Sequence, residues 1–325
     1  MTVEEYQVAQ LWTVIEASKD ETGGGDGVEI LVNEPFSVGS QYAPEEELPG
    51  GGTYSCGQYT HKIYHLASKV PSFIRLLAPG EALNVTEKAW NAYPYCRTVI
   101  TNGYMKDAFF LKVETMHVQD KIDIENVHEL PPDMLAKREV IYVDIATDLE
   151  GTIKSEWDPK TFQSKTTGRG PLVGPRWWEK TDMPVMCAYK LVTCNFRWFG
   201  IQGLVESYIA KTELRLFHAF HRQLFCNIDK WHGLSMEDIR RMEEQTKLEL
   251  DKQRKEEFHP LLATHVVVDS YISTSASWAN HVAKASTSVI IPNATPRLLL
   301  THPFKLQIVI GIPHQSGDMH PAIPP

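Results

Sequence analysis

The stretch QYTHKIYHL brings a hydroxyl group and an ammonium group close together in the chain. Its alternation and its aromatic and β-branched residues predict a β-strand, in which Thr60 and Lys62 share one face. If that face borders a cavity, the buried lysine requires an anion such as a phosphate, and Thr60 could bond a ring hydroxyl. The alternative is a half-exposed strand with both side chains in water. The pattern alone favours that alternative.

A second lysine, Lys190, raises the same question within the stretch MCAYKLVT. In a strand it lies on one face with Ala188 and Val192, where a lone charge is unexpected. Among the acidic residues, Glu243 and Glu244 belong to a highly charged helical stretch. By default we expect both of these carboxylates to be solvated.

No motif of the sequence predicts a reaction centre. We find no nucleophile elbow, no HExxH motif and no set of Ser, His and Asp that the pattern alone would justify. TGGGDG lacks the GK[ST] of a phosphate loop, and TTGRGP is equally compatible with a loop that touches phosphate and with an ordinary connection. No CxxC pair occurs among the five cysteines, Cys56, Cys96, Cys187, Cys194 and Cys226. We therefore expect no enzyme, no cofactor and no metal site.

The composition is that of a globular protein with an acidic balance. The chain has 325 residues and a formal net charge of -9, with 41 acidic against 32 basic residues. That balance disfavours bulk nucleic-acid binding, which relies on basic groups. The sequence has neither the basic start and apolar run of a signal peptide nor an apolar stretch of about 18 residues that would cross a membrane. Together with the scattered cysteines, these features predict a cytoplasmic protein.

The hydrophobic pattern predicts a mostly antiparallel sheet accompanied by long helices. Helical spacing occurs in residues 1–19, in residues 201–225 and in the charged stretch after Ser235, where Asp238 predicts a capping box. Strand-like stretches joined by turns are Val28–Asn33, Gln58–Leu66, Leu83–Trp90, Cys96–Asn102, Phe109–His117, Val140–Ile145 and Met186–Phe196.

Three further segments lack a sustained period. Residues 36–57 combine Pro, Gly and Glu and predict a long exposed loop, and residues 150–185 predict a long polar connection. From about His259 acidic residues nearly vanish, and neither a helical nor a strand period lasts. We therefore predict one domain over residues 1–258 and an atypical, weakly ordered tail over residues 259–325.

The turn after the last predicted strand carries adjacent aromatic residues. CNFRWFG places Trp198 next to Phe199, and neighbouring side chains of a strand point to opposite faces. Both rings therefore cannot enter the same core from a regular strand. One or both are expected to be exposed, and exposed aromatic residues need a functional reason.

Several long stretches closely resemble the class I phosphatidylinositol transfer proteins. The resemblance is carried, in order from residue 2 to about residue 255, by EEYQVAQL, EASKDETGGGDGVEILVNEPF, GQYTHKIYHLASKVPSFIRLLAP, EKAWNAYPYCRTVITNGYM, KTTGRGPL, MCAYKLVT, FHRQLFC and DIRRMEEQTK. It implies an α+β fold of the START-like, helix-grip type. In such a fold a concave, mostly antiparallel β-sheet is closed by long helices around a cavity for one phospholipid.

The resemblance also implies roles for individual residues. The positions that match the phosphatidylinositol headgroup site are Thr60, Lys62, Asn91 and Glu243, and those that match its polar surroundings are Gln10 and Lys190. The positions linked to phosphatidylcholine binding are Cys96 and Phe220. Ser164 matches a phosphorylation site of the family. Trp198 and Phe199 match a tandem-tryptophan membrane anchor, with Phe as a departure at the second position.

The implied function is non-catalytic transfer of phosphatidylinositol and phosphatidylcholine between membranes, with one lipid as internal cargo. The alternatives are a sensor or presenter that supplies phosphatidylinositol to lipid kinases, and a poorly folded inactive isoform. A cyclase or hydrolase in a similar cavity is a weaker alternative, since no nucleophile stands beside a base. The expected protein is a cytoplasmic monomer that contacts membranes, such as those of the Golgi or the endoplasmic reticulum, only transiently.

Three features depart from the family pattern. The family has a β-strand upstream of its first helix that is not found in this sequence. The segment Ser40–Cys56 is longer than usual, and the residues from about His259 match nothing in the family. We therefore expect an exposed sheet edge and reduced stability.

Overall fold

The structure is a computed structural model that describes residues 1–23, 26–65, 84–122, 124–149, 157–197, 202–255 and 304–311. Within these ranges one sheet contains eight strands. The strands are β1 (Gly27–Ser37), β2 (Cys56–His65), β3 (Asn84–Ala92), β4 (Tyr95–Asn102), β5 (Phe109–Val118), β6 (Glu139–Asp144), β7 (Cys187–Phe196) and β8 (Phe304–Gly311). Their order across the sheet is β1-β2-β3-β4-β5-β7-β8-β6. All neighbouring strands are antiparallel except β6 and β8, which are parallel.

Long helices pack against this sheet. The described α-helices are α1 (Val3–Glu21), α2 (Pro132–Leu135), α3 (Gln202–Cys226), α4 (Ile228–Trp231) and α5 (Met236–Lys255). Helix α1 contacts α3, α5 and β1, helix α3 contacts β7 and β8, and helix α5 contacts β1. The predicted α+β class with a mostly antiparallel sheet is therefore confirmed. Among the described helices, none combines the length and the apolar composition that spanning a bilayer requires.

Side-chain caps fix the start of two helices. At α1 the Glu5 N–H donates to Thr2 Oγ1 at 3.2 Å, and the Thr2 N–H donates to Glu5 Oε2 at 2.7 Å. At α5 the Asp238 N–H donates to Ser235 Oγ at 3.1 Å, and the Ser235 N–H donates to Asp238 Oδ2 at 2.9 Å. The capping box predicted at Ser235 is thus confirmed. A cap of this kind stabilises a helix by about 1 kcal/mol.

The prediction of an exposed loop over residues 36–57 is wrong in part. Phe36 belongs to β1, and both Phe36 and Leu48 are buried in one cluster with Tyr59 and Tyr95. A single apolar residue such as Leu48 anchors a loop through its contacts without producing any periodic signal. The sequence pattern therefore could not reveal this packing.

One strand lies in the segment 259–325, for which we predicted no regular element. Strand β8 pairs antiparallel with β7 and parallel with β6, so it lies between them. Its Ile308 is fully buried in a core cluster that includes Val192 and Phe217. The letters FKLQI alternate before the apolar run IVI, but so short a stretch gives a weak signal. The expectation of disorder is wrong for β8, whereas the division of the chain at residue 258 stays a prediction.

Candidate functional site

A cavity of about 420 Å³ lies between the sheet and the three long helices. Its wall is formed by α1, α3, α5, β7 and the strands β1 to β5, and most of the wall surface is apolar. A largely apolar cavity of a few hundred Å³ with a small number of polar groups is the usual form of a ligand site. The residues expected to contact lipid all line it: Gln10, Thr60, Lys62, Asn91, Cys96, Lys190, Phe220 and Glu243. Positions far apart in the sequence therefore converge on one site.

A row of polar side chains crosses the sheet within this cavity. The strand register pairs Gln58 with Asn91, Asn91 with Cys96, Cys96 with Thr115, and Thr115 with Lys190. Residues directly opposite one another share a face of the sheet, and all five line the cavity. Alternation along each strand decides which side chains face the cavity. The register decides which of them lie side by side.

Further along the same strands the wall is charged on β2 and β3 but apolar on β4 and β5. Lys62 on β2 lies opposite Glu87 on β3. Glu87 in turn lies opposite Ile100 on β4, and Ile100 lies opposite Leu111 on β5. All four side chains line the cavity. The polar groups thus concentrate on one part of the wall, and the remainder offers apolar surface. This distribution suits an amphipathic ligand, because each part of the ligand meets a matching environment.

The Lys62 ammonium is held by an acidic residue on the neighbouring strand. Lys62 and Glu87 are directly opposite in β2 and β3, and Nζ lies 3.2 Å from Oε1. Both side chains are only 13% exposed. The Tyr64 hydroxyl donates to the other carboxylate oxygen, Oε2, at 2.8 Å. The alternative of a strand with Lys62 in water is therefore wrong.

Glu243 reaches the cavity from α5 and is tied to the sheet. Asn33 Nδ2 donates to Glu243 Oε2 at 3.1 Å, and Gln58 Nε2 donates to Asn33 Oδ1 at 2.8 Å. The Arg240 guanidinium donates to the same Oε2 at 2.6 Å. The Glu243 side chain is 11% exposed, so our default of a solvated carboxylate is wrong for this residue. Buried carboxylates of this kind need such donors to offset their lost hydration.

Lys190 reaches the cavity wall from β7. Its Nζ donates to Thr115 Oγ1 at 3.3 Å and lies 4.7 Å from the centroid of the Phe217 ring. Burial lowers the pKa of Lys190 to about 8, although the nearby Glu213 opposes that shift. Burial likewise raises the pKa of Glu213 to about 7. Both groups therefore titrate near neutral pH, and a bound anion would favour the protonated form of each.

Three buried polar atoms on the cavity wall have no hydrogen-bond partner among the described residues. They are Gln10 Nε2, His117 Nε2 and Thr246 Oγ1. Buried polar groups are nearly always hydrogen-bonded, to protein, ordered water or ligand. Their presence on the wall of the cavity points to a polar ligand group or water at this location. Neither His117 nor Thr246 was expected from the sequence.

The two residues linked to phosphatidylcholine lie on opposite walls of the cavity. Cys96 on β4 donates from its thiol to Asn91 Oδ1 at 3.1 Å, and burial raises the pKa of this thiol to about 12. The thiol therefore stays protonated and is an uncharged wall group. Phe220 on α3 is partly buried and packs edge-on to His221. Because both residues line one cavity, a single ligand could contact the uncharged thiol and the aromatic ring.

Ser164 lies outside the cavity, in a closed loop. Its side chain is nearly inaccessible and donates to the Asp229 carboxylate, which also accepts from the Lys165 and Thr166 N–H groups at 2.9 and 3.0 Å. These hydrogen bonds, first of all that of Ser164, lower the pKa of Asp229 to about 2. Phosphorylation at Ser164 stays a prediction, and it requires this loop to open.

The same loop contains TTGRGP, for which the sequence left two interpretations. Arg169 donates to both carboxylate oxygens of Glu5 in α1, at 3.0 and 2.9 Å. It is not among the residues that line the cavity. The bidentate pair therefore ties the loop to the first turn of α1, as an ordinary structural connection.

Two further expectations concern the aromatic pair after β7 and the binding of metal ions. Trp198 and Phe199 lie outside the described residues, between the end of β7 at Phe196 and the start of α3 at Gln202. Their role as a membrane anchor stays a prediction. In the described part of the chain, no group of His, Cys, Asp and Glu side chains is arranged to hold a metal ion.

Comparison with known proteins points to one family. The family described as "Phosphatidylinositol transfer protein" matches residues 1–248. The phosphatidylinositol transfer protein beta isoform of Homo sapiens is 52% identical over 261 residues, which are 78% of this chain and 91% of that protein. Phosphatidylinositol transfer protein 1 of Dictyostelium discoideum is 44% identical over 258 residues, which are 79% of this chain and 92% of that protein.

A larger relative matches over the same length. Membrane-associated phosphatidylinositol transfer protein 2 of Homo sapiens is 41% identical over 259 residues, which are 78% of this chain but only 18% of that protein. The family match ends before β8, so that strand lies outside it. The resemblance read from the sequence motifs is confirmed. The chain belongs to the phosphatidylinositol transfer protein family.

Proposed function

We propose that this chain carries one phospholipid in its cavity and exchanges phosphatidylinositol and phosphatidylcholine between membranes. The observation that supports this function is the convergence of all eight expected lipid-contacting residues on one cavity. The family to which the chain belongs consists of lipid transfer proteins, which do not catalyse bond chemistry. The cargo enters and leaves unchanged, and the cycle needs no cofactor.

The polar part of the cavity wall would hold the headgroup. Lys190 supplies positive charge for the phosphate, and the Thr115 hydroxyl beside it offers a further hydrogen bond. Gln10 has a donor group free for the same purpose. Thr60 and Lys62 lie nearby on β2, where hydroxyl and ammonium groups suit the hydroxyls of an inositol ring.

Selectivity follows from which polar groups each headgroup needs. Inositol hydroxyls both donate and accept, so they match the Asn91 amide and the Glu243 carboxylate. Choline has no hydroxyl and would rely instead on the uncharged Cys96 thiol and on the Phe220 ring, whose π face attracts a quaternary ammonium. One acyl cavity with two overlapping headgroup subsites would therefore serve both lipids.

Exchange also requires contact with a membrane. The Trp198 and Phe199 pair is our proposed docking element, since amphipathic aromatic rings favour the headgroup region of a bilayer. Phe199 lacks the indole N–H of a second tryptophan, and we expect a somewhat weaker anchor. The protein would act as a cytoplasmic monomer with transient contact to membranes such as the Golgi or the endoplasmic reticulum. Presentation of phosphatidylinositol to kinases would use the same cavity.

The experiment that tests the proposed function combines native mass spectrometry with a transfer assay. The purified chain is expected to carry one phospholipid, and to move labelled phosphatidylinositol and phosphatidylcholine from donor to acceptor vesicles. An empty, aggregating chain would support the inactive isoform instead. A chain that binds lipid but supports only a lipid kinase, without transfer, would favour the presenter.

A pH dependence is expected from Lys190. Burial lowers its pKa to about 8, and a bound phosphate would raise that pKa because it favours the ammonium form. Through Lys190 alone, affinity falls as pH rises through about 8. Glu213, with a pKa of about 7, acts in the same direction, since phosphate favours its protonated form.

Binding of fluorescent phosphatidylcholine and phosphatidylinositol between pH 6 and pH 10 measures this effect. Both lipids are expected to respond alike, because both carry the phosphate. Lys190→Met should bind more weakly and keep only the part of the decline that comes from Glu213. Equal affinities across the whole range in the unmodified protein would contradict the role of Lys190.

A further inference from the structure

The charged groups on the cavity wall are balanced in number. Among the described residues the lining contains three basic side chains, Lys62, Lys190 and Arg240, and three acidic ones, Glu87, Glu213 and Glu243. Two of the possible pairs are in direct contact, Lys62 with Glu87 at 3.2 Å and Arg240 with Glu243 at 2.6 Å. A cavity built for a headgroup with several negative charges would instead show an excess of positive charge.

The positive charge of Lys62 is paired with the carboxylate of Glu87 within the protein itself. Glu87 accepts from the Lys62 ammonium through Oε1 and from the Tyr64 hydroxyl through Oε2. An ammonium has three N–H donors, and one is directed at Glu87. Its remaining donors are available to ligand hydroxyls, whereas its charge is not available to a second anion.

We propose that Glu87 is a specificity-determining residue, which keeps the Lys62 subsite neutral so that it accepts an uncharged polyol ring and rejects a ring that carries its own phosphate. This inference rests on the proposed function, since it assumes that the inositol ring lies beside Lys62. Lys190 remains the cation that meets the phosphodiester shared by all these lipids. Glu87 also positions Lys62, because the ion pair holds Nζ at the wall.

The physical basis is a difference between hydrogen bonding and charge. A ring hydroxyl bonds to Lys62 without separating it from Glu87, so the ion pair survives binding. A phosphomonoester carries a charge of about -1.5 to -2 at neutral pH and would stand against the Glu87 carboxylate. Repulsion between like charges at close range is much stronger in a poorly hydrated cavity than in water. An inositol phosphate at this location is therefore disfavoured while Glu87 is charged.

Competition between phosphatidylinositol and phosphatidylinositol 4-phosphate in mixed vesicles tests the proposal. The bound lipids are counted by native mass spectrometry of the full chain. The unmodified protein is expected to take mainly phosphatidylinositol. Glu87→Gln removes the negative charge and is expected to raise the ratio of the phosphorylated to the unphosphorylated lipid at least about tenfold.

Two further variants show whether charge, rather than shape, is responsible. Lys62→Met leaves Glu87 unopposed and should lower the ratio below that of the unmodified protein. The double variant Lys62→Met with Glu87→Gln is again neutral and should return close to the original ratio. Glu34→Gln is the matched control, because Glu34 is an exposed carboxylate on β1 that does not line the cavity.

Failure of the inference differs from failure of the proposed function. If the unmodified chain binds no phosphatidylinositol, the proposed function is wrong. If it binds phosphatidylinositol but the ratio is the same in all variants, Glu87 does not determine specificity and the inference is overturned. If Glu87→Gln does not fold, the lowered ratio expected of Lys62→Met and its return to the original value in the double variant still decide the matter.

Discussion

Replacing Lys62 with alanine is expected to remove phosphatidylinositol transfer and to leave phosphatidylcholine transfer largely intact. The substitution deletes the ammonium donors that we assign to the inositol hydroxyls, and choline has no corresponding hydroxyls. Hydrogen bonds to a charged group contribute about 1.5–3 kcal/mol each. Loss of such a bond corresponds to a decrease in phosphatidylinositol affinity of about ten- to a hundredfold. Vesicle transfer assays with each lipid, run in parallel, measure the difference.

Two controls separate this effect from damage to the fold. Lys88→Ala removes the same side chain from an exposed position on β3, opposite His61 rather than Lys62, and should change neither activity. Lys62→Ala combined with Glu87→Gln avoids an unpaired carboxylate and should preserve the thermal stability of the unmodified chain. An equal loss of both transfer activities in a stably folded variant would remove Lys62 from the inositol subsite.

Loss of β8 is expected to have the largest effect on stability. A chain that stops after residue 303 loses the hydrogen bonds of β8 to β7 and β6, and it loses the fully buried Ile308. Removing a buried Ile side chain alone typically costs about 2–5 kcal/mol. Since whole domains are stable by only about 5–15 kcal/mol, the truncated chain should be unfolded or close to it.

The matched control for this truncation is a chain that ends after Gly311, which retains β8. In the full chain, Ile308→Ala should lower the free energy of unfolding in urea, whereas Val38→Ala, at a position that is 78% exposed, should leave it nearly unchanged. Equal stability of the chains that end at residues 303 and 311 would mean that the folded sheet does not depend on β8.

The sequence predicted the faces of the strands but not their neighbours. Alternation was sufficient to place Thr60 and Lys62 on one face of β2, because side chains of a strand alternate with a period of two. It could not indicate that Glu87 lies opposite Lys62, since this contact depends on the register between two strands separated by a long connection. The same holds for Asn33, which connects Glu243 to the sheet.

Family motifs supplied what periodicity could not. Asn91, Cys96 and Glu243 were assigned through the resemblance, and the structure brings their side chains to one cavity. Where the resemblance ended, the prediction weakened. Strand β8 was missed because it lies beyond the matched residues and because eight residues of alternating pattern are hard to distinguish from chance.

The position of β8 late in the chain has a consequence for folding during synthesis on the ribosome. Lys190 of β7 pairs with Ile308 of β8. Because residue 190 precedes residue 308 by a long stretch of chain, β7 is synthesised much earlier than its partner. At a translation rate of about 5–20 residues per second, the time between synthesis of β7 and synthesis of β8 is on the order of ten seconds. During that interval the edge of β7 that will pair with β8 has unpaired backbone N–H and C=O groups, which can pair with a strand of another chain. Nascent chains on one polysome would therefore be prone to exchange this strand, and chaperones that shield apolar strands should bind in that interval.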